Sequence, residues 1–166
     1  MKRPYILTAI LLLFPVFIMA QETEEKPKSK PVRAPFACPT VIDHQTVYMP
    51  TAKTLEFVIE HRFDKIDNIS NLFGIYGSSN IRLGANYSIT DKLSVGYGIT
   101  KLRMLSDFRI KYNILEQTRD DKIPVAVTAY GNMGIDGRNE NYFGQNYKFT
   151  NRLSYFGELI VNRKFT

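Results

Sequence analysis

Cys38, His44 and His61 are the residues of this chain best suited to hold a metal or a haem. Their spacing argues against both. Cysteine, five residues and histidine match no zinc signature, and haem attachment needs two cysteines followed directly by histidine. No metal and no cofactor is expected. Cys38 and His44 read as parts of a packed lead-in, and His61 as an interface imidazole near a strand end. Ser94 and Ser154 stand beside glycine or aromatic residues, but neither lies in a nucleophile elbow. With two histidines in the whole chain, a Ser-His-Asp site is not expected. The chain is read as a protein without a catalytic residue, not as an enzyme, although enzymes built on membrane barrels mean that fold alone does not settle it.

A third group has more to say. Glu56, Glu60, Arg62, Arg82, Asp107, Arg109, Lys111, Glu158 and Lys164 carry four negative and five positive charges. They occupy alternate positions in segments whose other positions are apolar. Such a set either neutralises itself as a salt-bridged interior or lines a pore that selects solutes by charge.

The segments that position these charges have period two, the signature of strands with unlike faces. In "LEFVIEHRF", Leu55, Phe57, Ile59 and Phe63 share one face; Glu56, Val58, Glu60 and Arg62 share the other. In "NIRLGANYSI", Ile81, Leu83, Ala85, Tyr87 and Ile89 oppose Arg82, Gly84, Asn86 and Ser88. "LSVGYGI" and "DFRIKYNI" repeat the rule, "VAVTAYGNMGI" keeps it more weakly, and "LSYFGELIVNRKF" keeps it to the end. About six strands of roughly eight to thirteen residues result, without a helical candidate among them. The connections sort by end. "TDK" and "TRDDK" are short; residues 64–79 and 136–152 are long, and "KLRMLS" falls between. If the first strand runs upward, the longer connections all lie above and the short turns below. The long segments are expected to be exposed and mobile. The expected fold is all-β, an antiparallel up-and-down meander forming part of an outer-membrane β-barrel, with short turns at one end and longer loops at the other.

"NYSITDKLSVGYG" and "NYKFTNRLSYFG" share a polar turn followed by an alternating strand. By the strand count they fall at opposite ends of the sheet, so they reuse an entry signal and are not tandem repeats. In the first, Thr90 and Asp91 are expected to supply the bonds of the turn.

The N-terminus sets the compartment. Lys2 and Arg3 precede an apolar run from Tyr5 to Met19, and Ala20 is small, so residues 1–20 read as a cleaved signal peptide. The run is short for a membrane anchor and contains Pro15. Loss of Lys2 and Arg3 lowers the formal charge from +6 to +4. The remaining bases are scattered, so nucleic acid is excluded as a partner. One cysteine forbids an internal disulfide framework. Residues 21–35 read as a disordered, charged and proline-rich leader, 36–53 as an irregular lead-in, and 54–166 as the β-barrel domain.

Four phrases carry a resemblance: "CPTVIDHQTVYMPTAKTLEFVIEHRF", "NLFGIYGSSNIRLGANYSITDKLSVGYGITK", "YNILEQTRDDKIPVAVTAYGN" and "NRLSYFGELIVNRKF". Across residues 36–166 the chain resembles an uncharacterised family of bacterial outer-membrane β-barrel proteins, a domain of unknown function. The resemblance implies a porin-like barrel of the Gram-negative envelope, longer than this chain, and brings no ligand or active residue with it.

Two functions lead on the sequence, with a membrane-embedded barrel enzyme as a third. One is an outer-membrane barrel with a structural, porin-like or transport role, with membrane lipid and small polar solutes as its partners. The other is an exported soluble β-barrel that binds an apolar ligand inside. The direction of the apolar stripes separates them. Six strands are also fewer than the eight of the smallest single-chain barrels, so the expectation is a fragment or a chain that needs a partner, with unpaired first and last strands.

Overall fold

The computed structural model describes residues 29–65, 70, 72, 74, 75 and 77–165. The signal-peptide reading for 1–20, most of the leader and parts of the first long connection lie outside the described residues.

A two-residue ladder opens the chain, β1 (Thr40–Val41) against β2 (His44–Gln45). Six long strands follow: β3 (Leu55–Arg62), β4 (Asn80–Ser88), β5 (Leu93–Thr100), β6 (Leu105–Leu115), β7 (Ala126–Ile135) and β8 (Leu153–Asn162). Each pairs antiparallel with the next, and the sheet order is the chain order. This is the all-β meander that the alternation predicts. The strand limits differ slightly from the expected ones, for a reason of pairing. β6 starts two residues earlier than Asp107 because Leu105 pairs with Thr100 across a tight connection. β8 stops at Asn162 because its partner strand begins there, at Ala126. A register shift between Asn113 and Leu115 returns Leu115 to the row of Val127, and such a bulge also adds twist.

Cross-strand register sorts side chains into rows. Phe57, Ala85, Tyr97, Phe108, Met133 and Tyr155 form one row; Leu55, Tyr87, Val95 and Ile110 lead the next. These apolar rows face outward, with Phe57 79% and Ile59 73% exposed. The opposite face is covered. Arg82, Ser88, Asp107, Lys111, Asn113 and Thr128 are buried there, and among the described residues Val47 is the one buried hydrophobic side chain. Water-soluble folds bury their apolar faces and leave charge outside; this sheet does the reverse.

What covers the polar face is the N-terminal segment. Asp43 pairs with Arg62 on β3, and His44 Nδ1 lies 3.6 Å from Glu158 Oε1 on β8. At about 4.8 Å per strand, β3 and β8 would be about 24 Å apart in a flat sheet. Two consecutive residues that touch both edges require a sheet curled around the segment, polar face inward. The edges themselves are not joined: β3 and β8 each have one neighbour in the six-stranded sheet. Among the described residues no helix is long and apolar enough to cross a membrane, which leaves crossing by strands untouched.

The turns hold the curl. Thr90 Oγ1 accepts from Lys92 N (3.2 Å) and Leu93 N (3.0 Å), as expected of that turn. Asp91 does something else: its Oδ1 accepts from Ala52 N at 2.8 Å and ties the lead-in to the turn. At the next lower turn, Val32 N donates to Gln117 O (2.8 Å) and Arg119 N to Lys30 O (3.1 Å). Contact with the sheet therefore begins inside the segment read as leader. The Lys122 ammonium, with the Ser29 and Thr118 hydroxyls, holds the Asp120 carboxyl well below its ordinary range.

Candidate functional site

Alternation places Glu60 on β3, Arg82 on β4 and Asp107 and Arg109 on β6 on the same face, and the curl brings them together. Arg82 donates from Nε to Asp107 Oδ2 and from Nη2 to Oδ1, both at 2.8 Å, a fork-to-fork pair. Its Nη1 donates to Glu60 Oε1 at 3.2 Å. Arg109 completes the square, donating to Asp107 Oδ1 at 2.8 Å and Glu60 Oε1 at 3.3 Å. Asn132 Nδ2 adds a bond to Asp107 Oδ1 at 3.3 Å. Arg82 is 6% exposed and Asp107 3%. A charge so deep is tolerated only when paired and fully hydrogen-bonded.

The guanidinium of Arg82 needs floor space, and two glycines provide it. Gly84 and Gly98 face each other across β4 and β5. A Cβ on either would run into the Arg82 guanidinium, on Gly84 at 2.5 Å from Nη1. Gly84 and Gly98 are thus the bed of a buried arginine.

Below this square the sheet binds the N-terminal segment by its backbone. Lys111 Nζ donates to Tyr48 O (2.8 Å) and Pro39 O (3.3 Å). Asn113 Nδ2 donates to Val47 O at 3.4 Å, while its Oδ1 accepts from the buried Thr128 hydroxyl at 2.7 Å. Thr46 Oγ1 closes the segment on itself by donating to Cys38 O at 2.7 Å. Among the described residues every buried side-chain nitrogen and oxygen has a hydrogen-bond partner.

The segment divides the polar face. Above it a hollow of about 350 Å³ is lined by Glu60, Arg62, Arg82, Arg103, Asp107 and Arg109, with neutral neighbours. Below it a hollow of about 440 Å³ runs between residues 31–37 and the ends of β6 and β7. Between them, beside Gln45, Ser94 and Lys111, about 30 Å³ remains.

The upper rim is a folded loop. Asp136 and Arg138 form an ion pair at 2.7 Å, and Arg138 holds the Asp136 carboxyl below its ordinary range. The Arg138 guanidinium lies over Tyr142, and that of Arg152 over Phe143 and Tyr147, 4.9–5.0 Å from the ring centres. Arg152 also donates to Asp136 O at 2.8 Å. Residues 136–152 are largely exposed, as expected, but the expected mobile loop is one with its own packed arginine–aromatic stack.

The other sequence candidates scatter. The Cys38 thiol is exposed and donates to Thr40 O at 3.2 Å, so it is not the packed residue that was expected; the turn before β1 leaves it outside. His44 is exposed too, against Glu158. The His61 ring lies against Phe63 on the apolar face, with ring centres 4.4 Å apart and planes tilted by 59°. Ser94 is buried in the polar face, and Ser154 Oγ lies 3.4 Å from Gly134 O. No described histidine is bonded to either serine. Lys164 is held through its backbone by Gln117 (2.8 and 2.9 Å), not through its charge. Sequence reading missed Asp43, Arg103, Asp136 and Arg138. They lie in turns, where no period assigns a face.

A sheet with an apolar outside and a salt-bridged inside is built for lipid. Residues 36–166 match a family described as a membrane bound beta barrel domain (DUF5777). The chain belongs to that family. The match starts at Phe36, so this membrane-bound β-barrel domain includes the segment that fills its polar face as well as the strands. No curated protein and no solved structure matches it.

Proposed function

We propose that this membrane-bound β-barrel domain works in the outer membrane of a Gram-negative envelope, reached through cleavage of residues 1–20, in a structural, porin-like or transport role. The observation that carries the reading is the inverted polarity of the sheet: exposed Leu55, Phe57, Ile59, Val95 and Ile110 on one face, buried Arg82, Asp107 and Lys111 on the other. Lipid solvates the first and a watered lumen suits the second. An apolar-ligand carrier would need the stripes turned inward, so the outward rows favour lipid over that alternative.

Closure takes strands beyond these six or a partner chain, because an unpaired edge is not tolerated in hydrocarbon. In this reading small solutes enter the hollows on either side of the N-terminal segment, and passage between them, where about 30 Å³ remains, takes a shift of that segment. The mechanism is passive, with no catalytic group and no cofactor.

Fractionation tests the reading. Expected is recovery in the outer-membrane pellet with release by detergent, followed by step conductance in a planar bilayer. Recovery in the aqueous periplasmic fraction would sink it.

A further inference from the structure

We infer that the upper hollow is a binding site for a small free oxyanion, of phosphate or carboxylate type, with Arg103 as its open donor. The inference rests on the lumen reading above and names a solute class for it.

Charge comes first. Arg62, Arg82, Arg103 and Arg109 line the hollow with Glu60 and Asp107. Arg82 and Arg109 are neutralised by the two carboxylates of the square. Arg62 is paired with Asp43 of the N-terminal segment. Arg103 is left: among the described residues no carboxylate lies at ion-pair distance from it. Asp136 is the acid that its charge reaches, and Arg138 already holds both oxygens of that group, donating from Nε to Oδ1 and from Nη2 to Oδ2. The hollow therefore carries one surplus positive charge, on a guanidinium whose planar fork matches an oxyanion.

The backbone beneath Arg103 is the second observation. Arg103 has φ 61° and Met104 φ 48°, two left-handed residues in succession, neither of them glycine. Such conformations cost free energy and persist where the surroundings impose them. Here two bonds do so: Leu102 N donates to Asn80 Oδ1 (3.1 Å), and Gly137 N donates to Arg103 O (3.1 Å). A Cβ on Gly137 would sit 2.5 Å from Met104 O, so only glycine allows the rim loop to clasp this turn. The turn is held rigidly, and it holds the unpaired arginine at the mouth of the hollow. A volume of about 350 Å³ lies in the range of small-molecule sites. Arg62, exposed and only surface-paired, can turn to the same ligand.

The test is calorimetric titration of inorganic phosphate into the full chain folded in zwitterionic detergent micelles, at pH 7 and low salt. Expected is saturable binding at one site, weakened about fivefold or more by Arg103→Gln and largely restored by Arg103→Lys. Lys122→Ala, at the lower end of the sheet, leaves the affinity unchanged. Circular dichroism confirms that each variant keeps its strands. Unsaturable heats, or equal affinity in Arg103→Gln, overturn the site. Failure of the membrane reading shows separately, as folded protein that stays soluble without detergent.

Discussion

Ser94 and Val95 are neighbours on β5, yet Ser94 is 9% exposed and Val95 37%. Their surroundings continue the contrast. Val95 sits between Tyr87 and Ile110, Ser94 between Ser88 and Lys111. In water this distribution would be costly on both sides, since apolar area is exposed and charge is desolvated. In lipid it becomes the stable arrangement. The comparison teaches that the polar face is the specific side of this molecule: it is held by paired charges and directed hydrogen bonds, whereas the apolar face asks only for hydrocarbon.

The largest effect should come from breaking the specific side. Arg82→Ala leaves Asp107 buried without its fork partner, and losses of that kind run about 3–5 kcal/mol. Urea-dependent refolding into lipid vesicles should show it. Pairing the change with Asp107→Ala should recover part of the loss; a double variant as unstable as the sum would argue against the square.

Next comes a charge on the other side of the same sheet. Val95→Arg should cost about 2–4 kcal/mol if it lies near mid-membrane. Thr100→Glu, on the polar face of the same strand, opposite Arg82 and beside the positively charged upper hollow, should stay within about 1 kcal/mol. Equal costs in the same refolding assay would undo the assignment of faces.

Glycines sharpen the contrast at a smaller scale. Gly98→Ala pushes a methyl group into the Arg82 guanidinium and should cost about 1–3 kcal/mol. Gly157→Ala meets nothing within 4 Å on the apolar face and should be close to neutral.

The smallest expected effect lies outside the strands. Arg138 holds the Asp136 carboxyl below its ordinary 3.8, so their contribution is present above that pH and is lost as pH falls through the lowered value. Amide protection factors in residues 136–152, taken against the intrinsic exchange rate at each pH, should therefore fall between pH 7 and the acid side of the Asp136 titration more than in the turn 89–92, whose own bonds come from the Thr90 hydroxyl.

Alternation in the sequence determined six strands and the division of their residues into two faces, because successive Cβ atoms on a strand point to opposite sides. It placed Glu60, Arg82, Asp107 and Arg109 together on one face before any pairing was known. It could not say which face lies inside, because period two is the same for a soluble barrel and a membrane barrel. It could not join Arg82 to Asp107, twenty-five residues apart, or find that Lys111 binds the carbonyls of Pro39 and Tyr48. Nor did any pattern mark Arg103 or Gly137, which meet across two turns. Those features depend on distance in space. Only the curl of the sheet around residues 39–50 brings such groups within hydrogen-bond reach, and local periodicity carries no record of it.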